Sequence, residues 1–480
     1  MLKNNFFNIF QPKLQKSEII YLSIILLLFF CYSLFKILNF PINIDEAITY
    51  NNFTSKNIFT SATYYPEPNN HILFSIITNI FNYLPFDSKI NIRLPNLIIG
   101  VICSLSVYLI LRKIFNFKVA VIPHTVFTFS YIVGLYSILA RGYMFYIFFT
   151  CICFYCVYKI CENNRKIYWK IFTISSILAF YTIPSFLYVS VSFFIYLIFI
   201  FAKNTKALLQ LFKYYIVIGI LVLLLYLPVI YYNGFESITN NNWTKSIAFI
   251  EILKYIKSGI YGFYNVLLGV RSDFIFILFF ILLILIAIKT SDKKIYKLII
   301  FVFLFFLLPF VYILIHSVIP QVRIWSYLIF PFVLGIAIIL NFILEKINIK
   351  LIYIYLICGF SILFQIYVFN KTHPFAVNTG DIKSDKMASL VMNNNYHNFY
   401  FHNINTAYEE QIIKYNYLSK NVFYYSKKDF DKNQNLNIDT TNLKLYDCII
   451  LYQDNKFCSN ELKNYKLIYD YNNILIYGRK

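Results

Sequence analysis

The sequence predicts an α-helical membrane protein of about eleven spans that ends in a small soluble α/β domain. The 480 residues are 59% hydrophobic and only 14% charged, which is too apolar for a soluble globular protein. Residues 19–35 carry no charge and nearly fill the roughly 20 residues that a helix needs to cross a bilayer. Several similar stretches follow, and the composition becomes polar after residue 370.

Apolar stretches recur through residues 1–370, which we predict to be the transmembrane domain. No small-residue cleavage pattern follows the first stretch, so we interpret it as a retained helix and not as a signal peptide. Pro184 in YTIPSF separates the fifth stretch from the sixth. Two longer loops, 39–93 and 232–272, are predicted to lie at the outer face. The predicted spans cover approximately residues 19–38, 94–111, 119–139, 143–160, 168–183, 185–202, 213–231, 273–289, 298–316, 325–343 and 350–369.

The loop charges predict the orientation of the chain. With a cytoplasmic N-terminus, the inner segments hold 19 of the 29 Lys and Arg of residues 1–369 but only 4 of the 11 acids. This is the positive-inside pattern, and it accounts for the net charge of +21 without a nucleic-acid partner. An odd number of spans then leaves the C-terminal segment outside. The abundance of Asn, Lys, Ile, Phe and Tyr is typical of a low-GC bacterium, so we expect the bacterial inner membrane.

Residues 371–480 are predicted to form an extracytoplasmic accessory domain. A helix is expected at 406–418, with Thr406 as its N-cap and Glu409 three residues later. Alternating strand and helix signals indicate an α/β fold, and the segment contains no catalytic motif. The sequence leaves open whether Cys448 and Cys458 form a disulfide, which would need an oxidising compartment. The strand-like runs are HNFYFHNI, NVFYYS, DCIILY, KLIYDY and NILIYG.

Ionisable residues gather near the predicted outer ends of the spans. Such groups are costly near a membrane unless they are paired, so each is a candidate for function. The segment from His71 to Leu84 is too short for a span, and we predict a helix that lies in the interface. The candidates are Asp45, Glu46, Glu67, His71, Arg93, Arg141, Arg271, Asp273, His316 and Arg323.

Carboxylates and arginines at this depth suit one kind of chemistry. A carboxylate can remove a proton from an acceptor hydroxyl or amine, and arginines hold phosphate through charge-assisted hydrogen bonds. A lipid phosphate lies at the same depth as these side chains. The pattern therefore predicts transfer of a group from a lipid-linked phosphate carrier, with arginine stabilising the leaving phosphate.

The order of four motifs resembles the GT-C superfamily of membrane glycosyltransferases. An acid pair after helix one is followed by NNHILFSII, then by RLPNLIIG at the start of the second span, and then by ARGYMF. The resemblance covers roughly residues 18–200 and is greatest to the branch that contains bacterial relatives of dolichyl-phosphate-mannose-protein mannosyltransferase and the lipid A aminoarabinose transferases. RIWSYLIFP resembles the arginine-containing start of a late helix in the family. PEPNNHIL departs from the His-Pro pair of many relatives.

The resemblance implies an inverting transfer of a hexose or pentose from a polyprenyl-phosphate-sugar donor to a lipid, polysaccharide or protein acceptor at the outer face. Asp45 falls where the family has its catalytic base, and Glu46 would support it or bind the acceptor. Arg141, Arg323 and Arg93 would bind the donor phosphate. Glu67, His71 and His316 would line the cavity or hold a divalent metal ion; no cofactor is otherwise implied.

Three other functions remain open from the sequence. A transporter or flippase of lipid-linked sugars would need broken helices and charges within the spans, whereas the charges here lie at one face. An O-antigen polymerase or ligase would lack the acid pair after helix one and the folded C-terminal domain. A noncatalytic relative would use its C-terminal domain to bind a partner.

Overall fold

A computed structural model gives the fold of the chain. It describes residues 14–65, 69–239, 250–252, 267, 269, 273–318, 320–347, 349–372, 379–394, 396, 398–401, 407–419, 425–427, 447–452, 462–471 and 474–480. The described chain is mainly helical and ends in a small sheet, which confirms the predicted fold class.

The described residues before 234 form eleven α-helices. A π-helix, Tyr50–Thr54, directly follows the second of them. The α-helices are α1 (Lys16–Asn39), α2 (Ile44–Thr49), α3 (Ile58–Thr63), α4 (Ile72–Phe81), α5 (Ser88–Ile114), α6 (Phe117–Phe129), α7 (Tyr131–Ile138), α8 (Tyr143–Asn163), α9 (Lys166–Thr182), α10 (Phe186–Phe201) and α11 (Thr205–Asn233).

The second half contains the remaining helices and the sheet. A 3₁₀ helix, Val322–Leu328, leads directly into one of the long apolar helices. The α-helices are α12 (Glu236–Thr239), α13 (Asp273–Lys289), α14 (Lys293–His316), α15 (Ile329–Leu344), α16 (Leu351–Thr372), α17 (Thr379–Asn393) and α18 (Ala407–Ser419). The strands are β1 (Asn398–Phe401), β2 (Tyr425–Lys427), β3 (Cys448–Tyr452), β4 (Tyr465–Tyr471) and β5 (Ile474–Arg479).

Each predicted span corresponds to a helical segment, but the segments differ in length. Seven are long and apolar enough to cross a membrane, and α6 and α7 make an eighth if this pair, bent by 48°, is a single span. The bend lies at Ser130, which ends α6 and caps α7. Helices α9, α10 and α13 have only 16 or 17 residues. Because these three are short, the count of eleven spans stays a prediction.

Helix α5 is central to the membrane part of the fold, because it packs against α1, α4, α6, α7 and α8. Close packing against α7 depends on Gly100, where an added Cβ would lie 2.3 Å from Ser137 Oγ. Small residues of this kind let apolar helices approach closely. The N-terminal end of α5 is thereby held beside α2 and the turn after α7, which is where the candidate site lies.

The C-terminal sheet has the strand order β2-β1-β3-β5-β4. Strand β1 is parallel to β2 and β3, and β5 is antiparallel to β3 and β4. Each strand overlaps one of the runs predicted from the sequence, and α18 covers the predicted helix. Thr406, its predicted N-cap, lies outside the described residues, as does Cys458.

Candidate active site

Helix α2 orients the two adjacent carboxylates. Asn43 caps the helix, because its side chain accepts a hydrogen bond from the Asp45 N–H at 2.9 Å. Glu46 Oε2 in turn accepts from the Asn43 N–H at 2.9 Å, which completes a capping box. Neighbouring side chains on a helix point about 100° apart. Asp45 and Glu46 therefore enter different surroundings.

Glu46 forms a buried ion pair with Arg93 at the start of α5. Arg93 donates Nε–H to Oε1 at 2.8 Å and Nη2–H to Oε2 at 2.6 Å. Its other three N–H groups donate to the backbone oxygens of Ile37, Phe40 and Pro41. All five N–H groups thus have acceptors, and both side chains are fully buried.

The same carboxylate also binds the turn between α7 and α8. Glu46 Oε1 accepts a hydrogen bond from the Ala140 N–H at 2.7 Å. With the two bonds from Arg93 and the bond from Asn43, both carboxylate oxygens are satisfied. The Glu46–Arg93 pair therefore joins the end of α1, α2, α5 and this turn into one rigid unit.

Asp45 lies at a more open position and contacts a different pair of arginines. Its Oδ2 accepts a hydrogen bond from Arg323 Nη1 at 2.6 Å and lies 4.0 Å from Arg141 Nε. Burial raises the pKa of Asp45, but the charges of Arg141 and Arg323 and the Arg323 hydrogen bond outweigh it, so the pKa falls below the ordinary value of 3.8. Its side chain remains 27% exposed. Asp45 is thus an ionised and reachable carboxylate.

Arg141 is held almost completely buried in the turn before α8. Nη1 donates to Thr49 Oγ1 at 3.1 Å and to the Asn69 carbonyl at 3.2 Å, and Nη2 donates to Asn69 Oδ1. Among the described residues, Nε has no hydrogen-bond partner. Asn96 holds the turn by donating to the Arg141 carbonyl at 2.8 Å. The Nε–H of this buried guanidinium therefore remains available on the side facing Asp45.

His71, at the start of α4, supports the same turn. Its Nδ1 accepts a hydrogen bond from the Gly142 N–H at 2.7 Å, so the neutral ring carries its proton on Nε2. Burial and the charges of Arg141 and Arg323 lower its pKa well below 6.5, which keeps the ring neutral. A Cβ at Gly142 would lie 2.9 Å from His71 Cβ. Only glycine leaves room for this contact.

Arg323 closes the site from the late part of the chain. Its guanidinium lies over the Tyr143 ring, 5.8 Å from the centroid, and Tyr143 also contacts the His71 ring edge-on at 5.0 Å. The Arg323 side chain is 33% exposed. It is therefore the more accessible of the two arginines beside Asp45.

Helix α18 of the C-terminal segment packs on the segment that carries the acids. Asn51 Nδ2 donates to the Gln411 carbonyl and to its Oε1, both at 3.0 Å. Tyr415 hydrogen-bonds Ser88 Oγ at 2.8 Å and packs edge-on against Tyr50 with centroids 5.1 Å apart. The π-helix after α2 is thus fixed by the C-terminal segment.

Comparisons with known proteins agree with this architecture. Residues 68–232 match the family model described as dolichyl-phosphate-mannose-protein mannosyltransferase. The fold matches the crystal structure of ArnT from Cupriavidus metallidurans bound to undecaprenyl phosphate, with a TM-score of 0.59 and 9% identity, over 96% of this chain and 97% of that chain. The chain shares the fold of ArnT. The two matches confirm the resemblance to GT-C membrane glycosyltransferases predicted from the motifs. No curated protein sequence matches the chain.

Within this GT-C fold, only some of the predicted site residues meet. Asp45, Arg141, Arg323 and His71 surround one position, whereas Glu46 and Arg93 form the separate buried pair. The phosphate-binding role predicted for Arg93 does not fit this geometry, because all five of its N–H groups have acceptors within the protein. The full hydrogen bonding of Glu46 likewise points to a structural role.

The predicted divalent metal site, from Glu67, His71 and His316, lies only partly within the described residues and stays a prediction. His71 Nδ1 is occupied by a backbone N–H, and His316 is exposed at the end of α14. Within the described ranges, no three His, Cys, Asp or Glu side chains are grouped to hold a metal ion. Glu67 and Arg271 lie outside those ranges, as does the Asp273 side chain.

Several functional contacts of the GT-C site were missed by the sequence reasoning. Asn43 could have been predicted as an N-cap, because it precedes Glu46 by the three-residue spacing of a capping box. Gly142 follows Arg141 directly, and a glycine in a turn between two spans indicates close packing. Asn69 and Tyr415 carried no such signal, since their partners lie 72 and 327 positions away in sequence.

Proposed function

We propose that this GT-C glycosyltransferase moves a sugar from a polyprenyl-phosphate-linked donor to a hydroxyl or amine of a lipid, polysaccharide or protein acceptor. The observation that carries the proposal is Asp45, an ionised and partly exposed carboxylate between two arginines. The ArnT structure with a similar fold is bound to undecaprenyl phosphate, which supports a donor of this class.

Asp45 is the general base in the proposed reaction. One of its oxygens takes the proton of the acceptor group as that group attacks the anomeric carbon of the sugar. The bond between the anomeric carbon and the phosphate oxygen breaks, and its electron pair leaves with the polyprenyl phosphate. A single displacement of this kind inverts the anomeric centre.

The two arginines bind the phosphate that leaves. Arg323 is partly exposed, and its hydrogen bond to Asp45 can be exchanged for bonds to the donor phosphate. Arg141 offers its unpartnered Nε–H from a buried position, where the attraction to a developing negative charge is stronger than in water. Glu46 and Arg93 act as positioning residues that hold α2 in place.

We assign this site to the outer face of the membrane, with the N-terminus in the cytoplasm and the membrane being the bacterial inner membrane. The positive-inside distribution of residues 1–369 supports this orientation. The contact between α18 and the π-helix supports a C-terminal domain, residues 371–480, on the same side as Asp45.

Transfer of labelled sugar from polyprenyl-phosphate donors, measured in membranes, tests the proposal. We expect Asp45→Asn to lower the transfer rate by about 10²–10⁴-fold, since the base is lost. Asp470→Asn removes the same charge from an exposed position on β4 and should leave the rate unchanged. Equal amounts of folded protein must be present in all three membranes.

The result separates the proposal from its alternatives. Full transfer by Asp45→Asn would move the base to another residue. Transfer by neither protein with a panel of donors would instead favour the transporter or the noncatalytic alternative.

A further inference from the structure

A cavity lies between α8, α10 and α14, away from the candidate active site at Asp45. Its volume is about 360 Å³, which is within the range of small-molecule sites. Three lysines at its rim, Lys293, Lys294 and Lys297, come from the first turns of α14. Phe154 and Leu298 form part of its apolar wall.

The cavity lies at the membrane face opposite Asp45. Helix α8 begins at Tyr143, whose ring contacts His71 and Arg323, and its last turns contribute Cys161 to the cavity. Its 21 residues span about 30 Å at roughly 1.5 Å per residue, which is the thickness of the hydrocarbon core. The two sites therefore face different leaflets.

Two carboxylates, Glu162 and Asp292, also line the cavity. Glu162 forms an ion pair with Lys159, and Asp292 caps α14 by accepting the Lys294 N–H at 2.7 Å. Within the described ranges, the three rim lysines have no carboxylate in salt-bridge distance. The lining thus contains three lysines and two carboxylates, one of which is paired with a fourth lysine, so positive charge is in excess.

Tyr158 links the lysines to one of these carboxylates. Its ring lines the cavity and is almost fully buried, and its hydroxyl group lies beside the Glu162 carboxylate. Lys294 Nζ lies over the same ring, 5.3 Å from the centroid. The ring therefore holds one of the three lysines at the cavity.

We propose that this cavity binds the phosphate of an anionic phospholipid from the leaflet opposite Asp45. The lysines bind the headgroup, and the apolar wall contacts the upper part of the acyl chains. A lipid fits better than free phosphate because the charged rim continues directly into the apolar wall. Basic pockets between helices are known to suit anionic headgroups.

Lipid binding to the purified protein in detergent tests this proposal. Phosphatidylglycerol and phosphatidylcholine of equal chain length are titrated, and bound lipid is counted by native mass spectrometry. We expect phosphatidylglycerol to bind about tenfold more tightly. The triple variant Lys293→Gln, Lys294→Gln, Lys297→Gln should lose this preference.

A matched control removes three lysines from the same membrane face outside the cavity: Lys166→Gln, Lys170→Gln and Lys206→Gln. The control should keep the preference, and the cavity variant should keep its unfolding temperature in the absence of lipid. Equal loss of the phosphatidylglycerol preference in both triple variants would overturn the proposal. It would indicate an unspecific attraction between the lysines of this face and anionic lipid. Displacement of phosphatidylglycerol by an equal concentration of inorganic phosphate would overturn the lipid as the ligand. Neither result depends on sugar transfer.

Discussion

Asp45 and Glu46 are neighbours in the chain, but their surroundings differ in every respect that matters for chemistry. Glu46 accepts four hydrogen bonds and is fully buried with Arg93. Asp45 shares one oxygen with Arg323 and Arg141 and remains in reach of a substrate. A buried, fully bonded carboxylate stabilises the fold, whereas an accessible one can exchange its partners. The two acids should therefore respond differently to substitution.

Loss of the Glu46 charge is expected to destabilise the protein. Glu46→Gln leaves the Arg93 guanidinium buried without its counter-charge, which costs about 3–5 kcal/mol of unfolding free energy. The double variant Glu46→Met, Arg93→Met should recover part of this loss, since no buried charge remains. The unfolding temperature in detergent measures the loss in the single variant and the recovery in the double variant. Asp45→Asn is the control and should unfold near the wild-type temperature. Equal unfolding temperatures for all variants would contradict a structural role for Glu46.

Loss of Arg323 is expected to change the pH dependence of transfer. Arg141 and Arg323 lower the pKa of Asp45 below its ordinary value against the opposing effect of burial, so wild-type Asp45 is ionised at neutral pH. Arg323→Gln removes one of these charges and raises the pKa of Asp45. The acid limb of kcat/KM should then move to higher pH, because a protonated Asp45 cannot act as a base. An unchanged acid limb would show that Arg323 does not set the pKa of Asp45.

At the scale of elements, the short helix α2 depends on supports from distant parts of the chain. Its own capping box fixes its start, and the π-helix that follows contacts α18. A π-helix is uncommon and is often found at functional sites. A six-residue helix has little stability alone. Its position therefore reflects the packing of α5 and α18 more than its own sequence.

Removal of the Tyr415 side chain is expected to loosen α2 without changing the site residues. Tyr415→Ala loses the hydrogen bond to Ser88 and the ring contact with Tyr50. Hydrogen exchange in residues 44–54 should become faster, and kcat should fall more than the affinity for donor. Tyr83→Ala, which removes an exposed tyrosine from the same loop region, is the control and should change neither. Unchanged exchange in Tyr415→Ala would argue against support of α2 by α18.

At the scale of the whole molecule, the charge asymmetry of the loops and the position of the site agree. The inner loops predicted from the sequence carry most of the Lys and Arg, and the Asp45 site lies at the other end of α8. The C-terminal sheet follows α18, which contacts the Asp45 side. The predicted orientation, with a cytoplasmic N-terminus, is therefore consistent with the loop charges, the position of the Asp45 site and the position of α18.

Cysteine labelling in whole cells tests this orientation. In a background without Cys448 and Cys458, we expect Asp470→Cys to react with a membrane-impermeant maleimide from outside. Lys203→Cys, at the other face, should react only after the membrane is permeabilised. The reverse pattern would place the Asp45 site and the C-terminal sheet in the cytoplasm, and it would contradict a donor bound at the outer face.

Sequence reasoning reached the fold class and the gathering of charges, but not the partners of individual charges. Apolar runs predict helices because burial in lipid demands them, and alternating runs predicted the strands. Adjacent acids look equivalent in sequence. The pairing of Glu46 with Arg93, 47 positions away, could therefore not be predicted. The same holds for Arg141 with Asn69 and for α18 with α2, since long-range contacts depend on how the helices pack.

The hydrogen bond between Arg323 and Asp45 joins residues 278 positions apart in sequence. During synthesis, the Glu46–Arg93 pair and the Arg141 turn can form once the first 141 residues have been inserted. The second arginine beside Asp45 arrives only after some 180 further residues. A chain released before residue 323 would therefore lack the more accessible of the two arginines beside Asp45.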